Sequence, residues 1–364
     1  MIIDIIAGTR PNFIKVASLI HAYKRHAIEK VSRIRFIHTG QHFDNNMSGS
    51  FFEDLDLPEP DYNFDVRGGT HAVQTSNIMM AYEELLAKET SNLCIVVGDV
   101  NSTMACAVVA KKVGVKVAHV EAGIRSYDLK MPEEINRLIT DSITDYFFTT
   151  TQWASSNLSR QGISQDSIHL VGNTMIDTLI RNQAKFRKPF FFDKLALKDK
   201  AYIVLTLHRP SNVDEEQNLY GVIDTIIQNT DLPIIFPIHP RTRKTLGNKY
   251  DKLNRLHIIE PLGYLEFLYL IQHSKAIITD SGGITEEATF MSIPCMTLRT
   301  STERPETVEI GSNVLVGDNP LDLIPYINDL KVEKWKESAI PYYWDGNTGK
   351  RIWDALLVET KSML

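Results

Sequence analysis

The fold of the chain is indicated by the stretch Ala276-Ile277-Ile278-Thr279-Asp280-Ser281-Gly282-Gly283-Ile284-Thr285-Glu286-Glu287-Ala288. It starts with a short apolar run typical of a buried strand, turns through Asp-Ser-Gly-Gly and continues in a helical pattern. The glycines allow a ligand to approach the backbone and allow positive φ angles, and the free N–H groups of a helix start favour a phosphate. We expect Glu286 and Glu287 in the first turn, where a carboxylate can also bind a sugar hydroxyl. The alternative is a plain strand–turn–helix corner with two capping glutamates.

Around this stretch, short apolar runs alternate with helical patterns in two series. The first series predicts five strands, at Ile2–Ala7, Ile34–Thr39, Leu93–Val97, Val115–Val120 and Tyr146–Thr149. Its helices are predicted near Pro11–Arg25, Met47–Leu55, Ala72–Lys88, Thr103–Val113, Glu133–Ser142 and Trp153–Gln161. The second series predicts strands at Tyr202–Leu207, Pro233–Ile238, Leu256–Ile259, Lys275–Thr279, Ile293–Leu298 and Asn313–Val316. Such alternation is typical of parallel βαβ units, so the predicted fold class is α/β with doubly wound sheets.

The rhythm breaks near residues 172–200, which we interpret as the boundary between two Rossmann-like domains. The predicted N-terminal domain comprises residues 1–172, joined by a C-terminal helix at 348–364. The predicted C-terminal domain comprises residues 173–347. Since ligands of such sheets bind at the carboxyl ends of the strands, we expect the active site in the cleft between the domains.

Composition excludes several classes of protein. The 364 residues carry a net charge of −6 without long runs of one sign, which argues against a nucleic-acid partner. No apolar run reaches the roughly 18 residues that a membrane span needs. Residues 1–6 place an acid within an apolar start and are predicted to form a first strand rather than a signal peptide. The three cysteines show no metal-binding or paired spacing, so we expect a cytoplasmic protein without a metal.

Carboxylates follow two strands that should be neighbours in the first sheet. Asp99 comes after the third predicted strand, Glu121 closes the fourth, and Glu133 opens the following helix. Carboxylates that converge on one crevice repel each other, so at least one should have a raised pKa, as general acid–base chemistry requires. The alternative is structural: Glu133 caps its helix and Glu121 pairs with Arg125.

Basic residues follow other strands. Arg10 and Lys15 bracket the helix after the first strand, and the single glycine there rules out a G-x-G-x-x-G dinucleotide fingerprint. In the second half, His208 and His239 each end a strand on the same predicted edge as the Ser281–Gly283 turn, and Arg304 follows on that edge. Together these residues favour an anion-binding site.

In combination, these motifs resemble the non-hydrolysing UDP-N-acetylglucosamine 2-epimerases, which are relatives of the GT-B glycosyltransferases. The matching stretches span most of the chain in order: Gly8–Lys15, Gly40–His42, Gly98–Ser102, His119–Arg125, Pro132–Arg137, Gly172–Asp177, His208–Arg209, Asp280–Ala288 and Thr302–Glu306. The resemblance implies two Rossmann-like domains in a GT-B arrangement. It also implies a homodimer that needs no cofactor and acts on a UDP-sugar for surface polysaccharide synthesis.

The resemblance also implies the roles of individual residues. UDP would be eliminated across carbons 1 and 2 of the sugar and re-added after a proton returns on the opposite face. The acid–base set would be Asp99, Glu121 and Glu133, while His208 would assist the leaving phosphate. The substrate-binding set would hold the diphosphate and the ribose: Arg10, Lys15, Ser281, Gly282, Gly283, Glu287 and Arg304.

Departures from the family pattern leave the substrate open. Asn12 stands where well-known members have glutamate. After His208-Arg209 this chain reads Pro210-Ser211-Asn212, where those members commonly read Arg-Glu-Asn. Asp44 replaces a glutamine of a regulatory second UDP-sugar site, to which Gln41 and His239 would also belong, so activation should be weak. The alternatives are a 2-epimerase of a 6-deoxy or diacetamido-uronic UDP-sugar, a hydrolysing epimerase, a GT-B transferase, and a regulator without turnover.

Overall fold

The computed structural model describes residues 1–40, 51–251 and 253–359. The chain divides into two compact units: a first unit of Met1–Arg181 with Tyr342–Leu364, and a second unit of Asn182–Pro341. Among the described residues, no helix combines the length and apolarity needed to cross a bilayer.

The first unit is built on a parallel sheet of seven strands in the order β3-β2-β1-β4-β5-β6-β7. Its strands are β1 Ile2–Ala7, β2 Arg33–His38, β3 Tyr62–Asn63, β4 Leu93–Val97, β5 Lys116–Val120, β6 Tyr146–Thr149 and β7 Ile168–Leu170. Its described helices are α1 Arg10–Tyr23, α2 His71–Lys88, α3 Asn101–Lys112, α4 Pro132–Ile143, α5 Gln152–Arg160, α6 Thr174–Asn182 and the last helix of the chain, α15 Thr348–Glu359. Trp353 of α15 is buried and donates a hydrogen bond to the Leu19 carbonyl of α1 at 2.8 Å.

The second unit repeats the design with six parallel strands in the order β10-β9-β8-β11-β12-β13. Its strands are β8 Ile203–Thr206, β9 Ile234–Pro237, β10 Leu256–Ile259, β11 Ala276–Thr279, β12 Cys295–Thr297 and β13 Asn313–Leu315. Its helices are α7 Phe191–Lys194, α8 Pro210–Val213, α9 Glu216–Asn229, α10 Pro240–Leu246, α11 Tyr264–Gln272, α12 Gly282–Phe290, α13 Pro305–Glu309 and α14 Leu323–Lys331. Short 3-10 helices lie at Ala27–Lys30, Gln165–Ser167, Gln183–Lys185 and Pro320–Asp322.

The predicted α/β fold class and all eleven predicted strands are confirmed, with ends that move by at most two residues. Central strands such as β4 are apolar throughout, as is typical of parallel strands covered on both faces; every residue of β4 is buried. Two strands were missed, β3 and β7, which are the two edges of the first sheet. They are only two and three residues long and are not buried, so they lack the apolar run that identifies a central strand. The predicted helix Met47–Leu55 lies partly outside the described residues.

Each sheet has one point at which the strand order reverses, between β1 and β4 in the first unit and between β8 and β11 in the second. At such a point the loops after the two strands leave in opposite directions and open a crevice, where ligands of doubly wound sheets bind. The loop after β4 carries Asp99, and the loops after β8 and β11 carry His208 and Asp280. Each unit is therefore expected to bind a ligand at this edge of its sheet.

Candidate functional site

Asn12 fixes the start of α1 at the carboxyl edge of the first sheet. Its side-chain oxygen accepts hydrogen bonds from the Thr9 backbone N–H at 3.2 Å and the Thr9 hydroxyl at 2.9 Å. Its amide group donates to the Val97 carbonyl at the end of β4 at 3.0 Å. An amide can accept and donate at once, whereas an ionised carboxylate can only accept. Asn12 therefore makes a set of hydrogen bonds that an ionised glutamate at this position could not make, since one of them requires a donor.

Lys15 and Glu121 form a buried ion pair at the same edge. The Lys15 Nζ atom lies 2.6 Å from Glu121 Oε2, and the side chains are 8% and 2% exposed. Glu121 has a φ of 69°, a left-handed conformation that costs about 1–3 kcal/mol in a non-glycine residue and is concentrated at functional sites. Gly98 borders the pair: its φ is 68°, and a Cβ atom there would lie 3.1 Å from the Lys15 ammonium.

Asp99 is paired with a cation as well. Arg137 of α4 donates to Asp99 Oδ2 through Nε at 3.0 Å and through Nη2 at 2.6 Å. The Asp99 side chain is 26% exposed, so one part of the carboxylate faces outward. The same guanidinium donates to Glu134 at 2.7 Å, and Glu134 also accepts from the Ser126 backbone N–H. Asp99 is thus held in place by a helix that a second carboxylate anchors.

These pairs correct two expectations. Asp99 and Glu121 do follow neighbouring strands, since β4 pairs with β5 in register. However, they do not crowd as uncompensated charges, because Arg137 and Lys15 neutralise one each. The alternative pair of Glu121 with Arg125 is wrong: Arg125 lies 2.6 Å from Asp141 instead.

Glu133 and Arg10 are the more accessible members of the predicted set. Glu133 is exposed in the first turn of α4, where a carboxylate is favoured by the helix dipole. Arg10 is the first residue of α1 and is half-buried. Lys15 differs from both because its ammonium group is enclosed with Glu121.

A fully buried ionic cluster beneath this edge was not anticipated from the sequence. The two ring nitrogens of His119 lie 2.7 Å from Asp141 Oδ1 and 2.8 Å from the Gly98 carbonyl. The pKa of Asp141 is lowered although burial alone would raise it, because His119 and Arg125 stabilise the carboxylate. Both partners of His119 are acceptors, so the ring links the Asp141 carboxylate to the Gly98 carbonyl. The cluster holds the Gly98 turn that precedes Asp99.

In the second unit, the Ser281–Gly283 turn forms the start of α12. Ser281 is the N-cap and the helix begins at Gly282. Two expectations are corrected here. Neither Gly282 nor Gly283 has a positive φ, because both already lie inside the helix. For the same reason the two glutamates fall in the second turn rather than the first. The N–H groups of the first turn still carry the positive end of the helix dipole, which favours an anion.

Glu286 and Glu287 are both buried but have different partners. Glu286 lies 2.8 Å from Nε of Arg304, which is itself buried, so Arg304 is committed to an ion pair within the unit. Burial raises the pKa of Glu287 to about 8; a hydrogen bond with Tyr264 opposes the shift and the neighbouring charge of Glu286 adds to it. Glu287 does not belong to the trio Asp99, Glu121 and Glu133, for which the sequence analysis expected a raised pKa, so that expectation stays a prediction.

Replacing Glu287 with glutamine should therefore remove a pH-dependent penalty. The free carboxyl of glutamate titrates near 4.5 and the folded one near 8, so the wild-type protein loses stability as the pH rises through this window. The loss can reach roughly 5 kcal/mol. We expect E287Q to match the wild type near pH 5 and to be more stable at pH 9, measured as urea unfolding midpoints. Equal midpoints at pH 9 would contradict a raised pKa.

His208 and Asp280 meet at the point where the strand order of the second sheet reverses. Nδ1 of His208 lies 2.6 Å from Asp280 Oδ1, and the imidazole is 60% exposed while Asp280 is fully buried. Burial alone would raise the pKa of Asp280, but the hydrogen bonds from His208 and Asn212 hold it below its usual value. His239 follows the neighbouring strand β9; it is exposed, and its Nδ1 caps α10 by accepting from the Arg241 N–H at 3.3 Å. The predicted common edge for both histidines and Ser281 is confirmed.

The structure thus adds residues that the sequence analysis passed over, namely Glu134, Arg137, Asp141 and Asp280. Two signals were available: Glu134 and Arg137 have the i,i+3 spacing of a helical ion pair, and Asp280 directly follows a strand. Of the predicted regulatory residues, Gln41 and Asp44 lie outside the described residues. Within the described ranges, no group of three or more His, Cys, Asp or Glu side chains is arranged to hold a metal.

The chain is similar in sequence to proteins of one known family. The family model described as UDP-N-acetylglucosamine 2-epimerase matches residues 26–357. The UDP-N-acetylglucosamine 2-epimerase of Methanocaldococcus jannaschii is 44% identical, over 97% of this chain and 98% of that protein. The UDP-2,3-diacetamido-2,3-dideoxy-D-glucuronate 2-epimerase of Pseudomonas aeruginosa is 41% identical, over 86% of this chain and 87% of that protein.

Solved structures agree with the sequence matches. The crystal structure of the M. jannaschii UDP-GlcNAc 2-epimerase in complex with UDP-GlcNAc and UDP superposes with a TM-score of 0.88 at 42% identity, covering 98% of this chain and 100% of that chain. That of the Neisseria meningitidis UDP-GlcNAc 2-epimerase bound to UDP-GlcNAc superposes with a TM-score of 0.89 at 29% identity, with the same coverage of both chains.

Proposed function

Because the chain belongs to the UDP-N-acetylglucosamine 2-epimerase family, we propose that it interconverts UDP-N-acetylglucosamine and UDP-N-acetylmannosamine by inverting carbon 2 of the sugar. The observation that carries this proposal is the pair of carboxylates on neighbouring strands, Asp99 and Glu121, each with its own cation, in a chain that matches epimerases along nearly its whole length. A protein that only bound the sugar nucleotide would have no use for them.

The chemistry explains why the site needs both carboxylates and an anion-binding turn. The proton on carbon 2 is weakly acidic because no carbonyl group is adjacent to that carbon. A base removes this proton while the bond from carbon 1 to the UDP oxygen breaks, which leaves UDP and a glucal with a double bond between carbons 1 and 2. An acid then protonates carbon 2 from the other face, and the UDP oxygen returns to carbon 1. Stabilisation of the departing diphosphate supplies much of the driving force.

We assign the roles accordingly. Asp99, Glu121 and Glu133 supply the base and the acid, and the partly exposed position of Asp99 supports its direct access to the sugar. The start of α12 at Ser281, Gly282 and Gly283, where the N-cap side chain makes no capping hydrogen bond, receives the diphosphate. Arg10 is assigned to anion binding as well. His208 assists the leaving phosphate, which its exposed imidazole supports.

The remaining predicted substrate-binding residues receive narrower roles. Glu287 receives the ribose hydroxyls. Lys15 and Arg304 are each engaged in a buried ion pair, so we assign them to the support of Glu121 and Glu286 rather than to direct contact with the substrate.

A modified sugar is the second candidate substrate. The relative from P. aeruginosa, named for a diacetamido-glucuronate, is 41% identical, close to the 44% of the M. jannaschii relative. Both reactions invert carbon 2 and would use the same carboxylates, so the difference lies in which groups face carbons 3 and 6. Parallel assays on the two UDP-sugars, and on a 6-deoxy analogue, decide between them.

The decisive experiment is incubation with UDP-N-acetylglucosamine in heavy water, followed by proton NMR and product separation. Elimination breaks the bond from carbon 2 to hydrogen, so we expect solvent deuterium at carbon 2 of the manno product. Oxidation and reduction by a bound nicotinamide would return the same hydride and leave that carbon unlabelled. A hydrolysing epimerase would release free N-acetylmannosamine with stoichiometric UDP, and a transferase would cause no isomerisation. Absence of exchange with every sugar tested would overturn the proposal.

We propose a cytoplasmic homodimer as the working form. All three cysteines are free and buried, which suits a reducing compartment. On the first unit, α3 packs between α2 and α4, and the flanking helices expose apolar side chains that a second copy could cover. These side chains are Val73, Met80, Ile135 and Ile139.

A further inference from the structure

Asp280 holds the turn that carries His208. Its carboxylate accepts the His208 backbone N–H at 3.1 and 3.0 Å, the Arg209 backbone N–H at 2.9 Å and the Asn212 side-chain amide at 3.0 Å. Its fourth donor is the imidazole Nδ1 of His208 at 2.6 Å. The carboxylate is therefore fully occupied by donors, and it is completely buried.

This arrangement determines the protonation pattern of the imidazole. A carboxylate that already accepts three N–H groups has no proton to donate, so Nδ1 of His208 must carry the hydrogen. Nε2 is then the nitrogen that remains for a ligand. The His208 ring contacts the buried Asp280 through Nδ1, while most of the ring surface is exposed. Which nitrogen of a histidine carries its proton is commonly set in this way by the hydrogen bond of the other nitrogen.

We infer that Asp280 is a positioning residue: it orients His208 so that Nε2, and not Nδ1, meets the diphosphate that leaves and returns. This inference rests on the proposed function for its catalytic consequence. Its geometric part does not depend on the substrate.

The strand order supports the inference. β8 and β11 are adjacent and in register, with Thr206 opposite Thr279, so the residues that follow them are brought side by side. Asp280 leaves β11 immediately before the Ser281–Gly283 turn, to which we assign the diphosphate. One residue thereby links the leaving-group histidine to the anion-binding helix start within the second unit.

The test compares four variants by turnover number and by UDP affinity. D280N should lower kcat roughly 10²- to 10³-fold. The asparagine NH₂ group can face Nδ1 of His208 in place of an accepting oxygen, which favours the tautomer with the hydrogen on Nε2. UDP affinity should change less than about threefold. N212A is the matched control: it removes one anchor of the same turn but leaves the bond between His208 and Asp280, so kcat should fall less than about threefold. In an H208A background, D280N should cost less than about twofold more.

Spectroscopy tests the geometric part without any rate measurement. Nitrogen-15 NMR of the wild-type imidazole should show Nδ1 protonated in the neutral ring of His208, and D280N should shift the population toward protonated Nε2. An unprotonated Nδ1 in the wild type would overturn the inference even if D280N failed to fold. So would wild-type kcat in D280N, an equal loss in N212A, or a further large loss in the H208A background. If the wild type shows no deuterium exchange with any UDP-sugar, the proposed function fails while the tautomer still reports on Asp280.

Discussion

Replacing Asp99 with asparagine is expected to abolish turnover while leaving UDP affinity within about tenfold of the wild type, or roughly 1.4 kcal/mol. A positioned acid or base contributes about 10²- to 10⁴-fold to a rate, and Asp99 offers a partly exposed carboxylate held by Arg137. The diphosphate turn belongs to the second unit, so binding of UDP should persist. Calorimetric titration with UDP and the heavy-water assay measure the two effects separately.

D99N is expected to leave the stability of the first unit nearly unchanged. In D99N, Arg137 keeps its bond of 2.7 Å to Glu134, so no unpaired buried cation is created. Asp145 provides the matched control, since it pairs with Lys111 and Lys116 at the opposite, amino-terminal edge of the same sheet. D145N should keep activity within about twofold. Joint loss of UDP binding and activity in D99N would make Asp99 a structural residue.

Breaking the buried pair of Lys15 and Glu121 is expected to have the largest effect on stability. Removal of one partner of a buried ion pair leaves an uncompensated charge and costs about 3–5 kcal/mol. We therefore expect K15M and E121Q each to lower the free energy of unfolding of the first unit by this amount and to be inactive. Urea unfolding, followed together with UDP titration, gives the stability of each variant.

The double variant separates the two roles of this pair. K15M/E121Q carries neither charge of this pair, so its stability should return to within about 1 kcal/mol of the wild type. Against single losses of about 3 kcal/mol or more, this is a coupling of at least about 5 kcal/mol. It should nevertheless remain inactive, because the Glu121 carboxylate is still missing. The exposed i,i+4 pair of Lys88 with Glu84 is the control, and K88M should change stability by less than about 1 kcal/mol. An active double variant would remove Glu121 from the acid–base set.

The fold followed from local patterns because its central strands are covered on both faces. Runs such as Leu93–Val97 are apolar at every position and are bounded by turn residues, so their position and their parallel pairing could be predicted. The edge strands Tyr62–Asn63 and Ile168–Leu170 could not, because an edge strand of two or three incompletely buried residues has no comparable pattern.

The candidate site was predicted only in part, and for a physical reason. The sequence by itself determined which side chains follow the carboxyl ends of strands, since that depends on neighbours within a few residues; Asp99, Glu121 and His208 were found in this way. The partners of these side chains are decided by the order of strands, and no local pattern contains that order. Lys15 meets Glu121 across 106 residues, Arg137 meets Asp99 across 38, and Asp280 meets His208 across 72. Only the tertiary structure therefore decided which charges are compensated, which helix turn Glu286 and Glu287 occupy, and which nitrogen of His208 remains for a ligand.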